Sequence, residues 1–283
     1  MQLIDKLALL RNAGGSARTT GLDDAAIVRF AATSPELVAA IDLAHERYAE
    51  IRDAFPELLA LDEPEQMRRV QADYVNFYAE DAVNPYVALA ASGPWVVTLK
   101  GAVLHDSGGY GMLGFGHAPP AVIEAMSRPQ VMANVMTPSV AHLKLGKALR
   151  AAIGAGRGGC PYTHFLCLNS GSESVSLACR IADVNAKLMT DAGGRHAGRT
   201  IKRLAVKGAF HGRTERPAVY SDSSRKTYAQ HLASFRDETS LITIEPYNVE
   251  QLRQAFADAD KNGWFIEAMF LEPVMGEGDP GRS

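Results

Sequence analysis

Three short clusters in this 283-residue sequence combine glycine with hydroxyl, imidazole, aromatic or carboxylate side chains: Asn169-Ser170-Gly171-Ser172-Glu173-Ser174, Phe210-His211-Gly212-Arg213-Thr214 and Glu272-Pro273-Val274-Met275-Gly276-Glu277-Gly278. Ser170 and Glu173 have the spacing of a capping box, so the helix carrying Val175, Leu177, Ala178, Ile181 and Leu188 should begin there. A helix start presents free backbone N–H groups and the positive end of the helix dipole, and Gly171 permits close approach; a phosphate gains about 0.3–1 kcal/mol from the dipole beyond its hydrogen bonds. The plainer reading is that Ser170 only caps a helix. Phe210 suits stacking on a flat heteroaromatic ring, worth ~0.5–1.5 kcal/mol beyond area burial. It would serve equally as a core plug, and His211 as a hydrogen-bonded loop residue. Glu272 closes an apolar run and Glu277 follows it; such acids hydrogen-bond a ligand, pair with an arginine, or are simply solvated.

The elements that must position these clusters are readable from the spacing of apolar residues. From residue 163 onward, short apolar runs alternate with helical patterns: Thr163 to Leu168, Ile201 to Val206, Leu241 to Ile244 and Ala268 to Leu271 read as strands, Glu173 to Met189 and Val249 to Ala259 as helices. That alternation predicts an α/β layer with a mainly parallel sheet, whose ligands sit beyond the carboxyl ends of the strands. Each chemical cluster follows such a run. Residues 1–82 read as a helical segment. Ser34-Pro35-Glu36 opens a helix carrying Leu37, Ile41, Ala44, Tyr48 and Ile51, with Ser34 as its cap. Glu63-Pro64-Glu65 opens another, with an expected apolar stripe through Met67, Val70, Tyr74, Phe77 and Tyr78. Residues 83–140 read as a small-domain segment with a β hairpin, Trp95 to Leu99 against Ala102 to His105, followed by a helix after Pro119-Pro120. Residues 141–283 begin with a helix through Leu143, Leu145 and Leu149 and carry the alternating strands and helices.

Composition removes several function classes. With 29 Lys plus Arg against 32 Asp plus Glu, the net charge of −3 gives no broad footprint for a nucleic-acid backbone or an anionic membrane. No apolar run reaches transmembrane length, and Met1 to Leu10 lacks the pattern of an export signal, so a cytoplasmic protein is expected. Cys160, Cys167 and Cys179 form neither a disulfide framework nor, with His164 between the first two, a complete zinc set; no metal is expected. Gly109-Tyr110-Gly111-Met112-Leu113-Gly114 matches the dinucleotide pattern literally, but Pro119-Pro120 follows and residues 129–137 contain no acid, so the context fails.

Taken in order, Gly114-Phe115-Gly116-His117-Ala118-Pro119, Asn169-Ser170-Gly171-Ser172-Glu173, Gly208-Ala209-Phe210-His211-Gly212-Arg213-Thr214 and Glu272-Pro273-Val274-Met275-Gly276-Glu277-Gly278 resemble the class III pyridoxal-phosphate aminotransferases. The resemblance covers residues 84–283 and implies a fold-type I architecture, with residues 141–283 as the first part of a cofactor-binding large domain, pyridoxal 5′-phosphate as cofactor, amine or amino-acid and keto-acid substrates, and a homodimer. It places the phosphate on Ser170, Gly171 and Ser172, the ring under Phe210 with His211 beside it, Glu272 at the cofactor's phenolic edge, and Glu277 as the partner of a substrate-gating arginine. Met275 stands where many relatives have Gln. The family's Schiff-base lysine and its ring-pairing aspartate match no position up to Ser283, so the chain reads as an N-terminal part, inactive alone, completed by further sequence or by a second polypeptide. Lys207 is a weak substitute and Lys202 a weaker one. The competing readings are a racemase, aminomutase or decarboxylase with the same cofactor, and a non-catalytic subunit of the same fold.

Overall fold

A computed structural model describes residues 1–75, 84–107, 114–131 and 136–276. Two compact units divide the chain, Met1–Thr137 and Pro138–Ser283. The first begins with helices α1 (Leu3–Arg11), α2 (Asp24–Ala31), α3 (Pro35–Ala54), α4 (Pro56–Ala60) and α5 (Glu63–Gln71). Antiparallel strands β1 (Ala88–Ser92), β2 (Trp95–Thr98) and β3 (Val103–His105) follow, then α6 (Pro120–Ser127).

The face of α3 formed by Leu37, Ala40, Ile41 and Ala44 is fully buried, with Tyr48 and Ile51 continuing the same stripe. It packs with Leu7 and Leu10 of α1 and Val97 and Val103 of the sheet into one core. The expected hairpin is present: β2 pairs with β3, and its turn closes through the Gly101 amide on the Thr98 carbonyl, with Gly101 at φ 72°. Strand β1 has only Ala, Leu and Ser. Its place depends on pairing with β2 rather than on its own residues.

Two expectations in this unit are corrected. Ser34 precedes α3 but does not cap it, because its hydroxyl accepts from the Trp95 indole at 2.9 Å and donates to Glu36. Helix α5 ends at Gln71, and its buried residues are Glu63 and Gln66 rather than an apolar stripe; Val70 and Tyr74 are exposed, and Phe77 and Tyr78 lie outside the described residues. The reversal has a local cause. Glu63 turns inward to accept the Arg18 and Thr19 amides, and Gln66 donates to the Leu58 carbonyl.

The second unit contains α7 (Val140–Gly154), α8 (Gly171–Thr190), β4 (Thr200–Val206), α9 (Glu215–Tyr220), α10 (Arg225–His231), β5 (Leu241–Ile244), α11 (Val249–Asn262) and β6 (Trp264–Phe270). The sheet is parallel in the order β5-β4-β6, as the alternating pattern predicts. Strand β6 starts earlier than the apolar run Ala268 to Leu271 indicates, because Glu267 belongs to its interior: the carboxylate is buried and takes Arg203 Nε at 2.6 Å and the Tyr220 hydroxyl at 2.8 Å. Burial beside Glu267 pushes the neighbouring Cys179 thiol up to about 11.

Thr163 to Leu168 is not a strand. Among the described residues no ladder partner runs beside it, since β4 carries β5 on one edge and β6 on the other, and Leu166 and Leu168 are exposed. No helix of the described residues is long and apolar enough to cross a membrane.

Candidate functional site

Ser170 is the N-cap of α8, in extended conformation, and its Oγ accepts the Glu173 amide at 3.2 Å. Half of the capping box forms differently from expectation: the Glu173 carboxylate reaches past Ser170 to the Asn169 amide, at 2.9 Å. The amides of Gly171 and Ser172 have no protein acceptor among the described residues. Space in front of them is open, since a Cβ built on Gly171 would meet nothing within 4 Å. An exposed helix start with two free N–H groups and two serine hydroxyls suits a phosphate, so the residues present fit that part of a phosphorylated cofactor.

Strand β4 delivers the second cluster to the same place. Beyond Val206 the chain turns at Gly208, φ 80°, and again at Gly212, φ 123°. The second turn presses on α8: a Cβ at Gly212 would lie 2.6 Å from Ser172 Oγ and 3.0 Å from Pro217 Cβ, so only glycine allows this approach. The Arg213 amide donates to Ser172 Oγ at 3.4 Å. Ser170, Gly171 and Ser172 are thereby joined to the loop that carries Phe210. The Phe210 ring is half-buried, with the Arg213 guanidinium carbon 5.3 Å from its centroid.

His211 is buried. Its amide donates to Ser221 Oγ at 2.9 Å, its ring meets Phe270 edge-on at 5.9 Å, and its Nε2 has no partner among the described residues. Burial holds the imidazole below its ordinary pKa, against the opposing pull of Glu272 and a hydrogen bond to the Phe270 backbone.

Glu272 follows β6 and closes the site from that side. One carboxylate oxygen accepts the Phe210 amide at 2.9 Å, the other the Gly276 amide at 3.0 Å. Between the ends of the three strands lies a mainly apolar cavity of about 210 Å³, lined by Val206, Ala209, Tyr247, Leu271, Glu272 and Met275. Met275 is buried there. Glu277, the proposed gating residue, and Gly109 to Leu113 of the glycine-rich stretch lie outside the described residues. Lys207 points elsewhere, pairing with Glu245 at 2.6 Å, and Lys202 donates to the Thr239 carbonyl. Among the described residues no group of three or more His, Cys, Asp or Glu could hold a metal ion.

Residues absent from the sequence reading also shape the site. Ser221 is fully buried and bonds to both His211 and Gly212. Asp222 accepts the Gly208 amide at 2.8 Å. Their only sequence signal is the run Ser221-Asp222-Ser223-Ser224, which reads as an ordinary turn.

At the carboxyl edge of the parallel three-stranded sheet, the start of α8 with its open amides and the loop carrying Phe210 thus lie together. Solved structures agree on the fold. The ornithine aminotransferase of Toxoplasma gondii is 22% identical, with a TM-score of 0.58 over 81% of this chain and 50% of that one. The lysine aminotransferase of M. tuberculosis is 20% identical, with a TM-score of 0.52 over 76% of this chain and 53% of that one. The PMP-bound form of an aminotransferase from Vibrio fluvialis is 17% identical, with a TM-score of 0.54 over 76% of this chain and 50% of that one. The chain thus spans about half the length of these structures. The model of the class-III aminotransferases matches residues 77–280, and the chain belongs to that family. Class III aminotransferases use pyridoxal 5′-phosphate.

Proposed function

We propose that this chain supplies the phosphate- and ring-binding part of a pyridoxal-phosphate aminotransferase, which moves an amino group from an amine or amino acid to an α-keto acid. The observation that carries the reading is the open start of α8 tied through Ser172 to the Phe210 loop. When bound, the cofactor supplies the carbonyl that takes up the amino group and the ring that withdraws electrons from the substrate carbon. Ser170, Gly171 and Ser172 would hold the phosphate and Phe210 would stack on the ring, while His211 and Glu272 fix the loop that carries Phe210. Glu277 is assigned the pairing with a substrate-gating arginine. The Schiff-base lysine and the ring-pairing aspartate of the family are assigned to no residue of this chain. A cytoplasmic homodimer is the proposed form of the complete protein.

The test uses the natural gene product. A donor amine labelled with nitrogen-15 is incubated with a panel of α-keto acids, and label in the new amino acid is the expected result. Racemised or decarboxylated donor with unlabelled keto acid would transfer the assignment to another reaction of the same cofactor. Borohydride reduction followed by peptide mapping locates the lysine that holds pyridoxal; finding none would leave a non-catalytic subunit.

A further inference from the structure

The loop that carries Phe210 is bounded by two glycines at positive φ, Gly208 and Gly212, a combination that leaves the backbone unusually free. In the structure it is matched group for group by residues 221–223. The Gly208 amide donates to Asp222 Oδ2 at 2.8 Å, the Ser223 amide donates to the Ala209 carbonyl at 3.1 Å, and the His211 amide donates to Ser221 Oγ at 2.9 Å. The Ser221 hydroxyl in turn donates toward the Gly212 carbonyl at 3.0 Å and the Pro217 carbonyl at 3.1 Å, sharing one proton between them. Ser221 is fully buried. Tyr220, directly before it, is also fully buried and is held by its hydroxyl on Glu267, so the matching strip cannot drift.

We infer that Ser221 is a positioning residue for the cofactor site: its hydroxyl sets the path of His211 and Gly212, and with it the place of the Phe210 ring relative to Ser172 at the start of α8. A hydroxyl is needed because this one oxygen both accepts from His211 and donates to Gly212. Alanine does neither, and it leaves a buried N–H and a buried C=O without partners, which the two flexible glycines would relieve by moving the loop. The inference rests on the proposed function, since it assigns Ser221 to the ring and not to the phosphate. The amides at the start of α8 are set by the helix itself and by the Ser170 cap, whereas Ser221 reaches that helix only indirectly, through Gly212 and Ser172.

The experiment compares Ser221→Ala with the unaltered protein, both as the natural gene product, in binding two probes: 4-deoxypyridoxine 5-phosphate, which has the ring and phosphate but no aldehyde to react with surface lysines, and inorganic phosphate. The expected result is a loss of about tenfold in affinity for the ring-bearing probe with less than about a twofold change for inorganic phosphate. Ser221→Cys, which keeps the volume but only weak hydrogen bonding, should behave like the alanine variant and serves if alanine fails to fold. Equal losses for both probes would mark Ser221 as merely structural and overturn the inference, as would unchanged affinity for both. Failure of the unaltered natural gene product to bind the ring-bearing probe would instead overturn the proposed function, and the inference with it.

Discussion

The Phe210 amide donates to Glu272 across the gap between the ends of β4 and β6, at 2.9 Å. The same carboxylate holds the Gly276 amide with its other oxygen, so one side chain ties two loops that are far apart in sequence. Glu272→Ala should release both, and Glu272→Gln, with one acceptor oxygen left, should release one; each lost bond to a charged acceptor costs about 1.5–3 kcal/mol. Hydrogen exchange at Phe210 and Gly276 reads this directly. Protection should fall furthest in the alanine variant, and unchanged protection in both variants would refute the clamp.

Gly171 has open space around it. A valine there should therefore fold without a clash, yet stand where a phosphate approaches the amides, whereas Ser174→Ala removes only a hydroxyl that donates to the Ser170 carbonyl. Titration calorimetry with inorganic phosphate should show a loss of about tenfold or more for Gly171→Val, since hydrogen bonds to a charged group are each worth ~1.5–3 kcal/mol, and little change for Ser174→Ala. Equal effects would move the phosphate away from this helix start.

Arg203 and Glu267 meet at 2.6 Å, with the glutamate side chain wholly out of solvent and the arginine partly exposed. Arg203→Leu leaves that carboxylate unpaired in the interior and should cost about 3–5 kcal/mol. Glu267→Gln keeps an acceptor for Tyr220 and should cost less. Urea midpoints for the two variants give the order, and a reversed order would show that the buried carboxylate does not depend on Arg203.

Burial lowers the His211 pKa from its ordinary 6.5. Above that value the imidazole is neutral in folded and unfolded chains alike, and its contribution to stability is complete. As pH falls below 6.5 the unfolded chain takes up the proton first, so stability declines until the pH passes the lower folded value. His211→Gln should lack this part of the decline. The difference between the melting temperatures of the two proteins, followed from pH 8 to pH 5, isolates it, and parallel curves would refute the buried neutral form.

Much of this arrangement is visible in the residues themselves, where one periodicity dominates. Leu37, Ile41 and Ala44 mark α3, Leu241 to Ile244 mark β5, and Ser170 marks the start of α8, because in each case local preference and burial agree. Agreement fails where a partner decides. Ala88 to Ser92 becomes a strand only by pairing with β2, and Thr163 to Leu168 stays irregular for want of a neighbour. Buried polar residues are the other blind spot: Glu63, Gln66, Glu267 and Ser221 resemble surface residues until the groups they bond are known. The clusters that precede α8 and follow β4 stand out in the sequence because glycine, hydroxyl and aromatic residues gather directly beside apolar runs. The support beneath them does not, because Ser221 and Asp222 act through atoms brought close only by folding.

Gly263 ends α11 in the left-handed conformation, φ 65°, and β6 begins at the very next residue. With no slack between helix and strand, that glycine is the zero mark of a ruler along which Glu267 and Glu272 are placed. Adding or removing one residue at this mark would exchange the two faces of β6, turning the partner of Arg203 outward and carrying the Glu272 carboxylate away from the Phe210 amide.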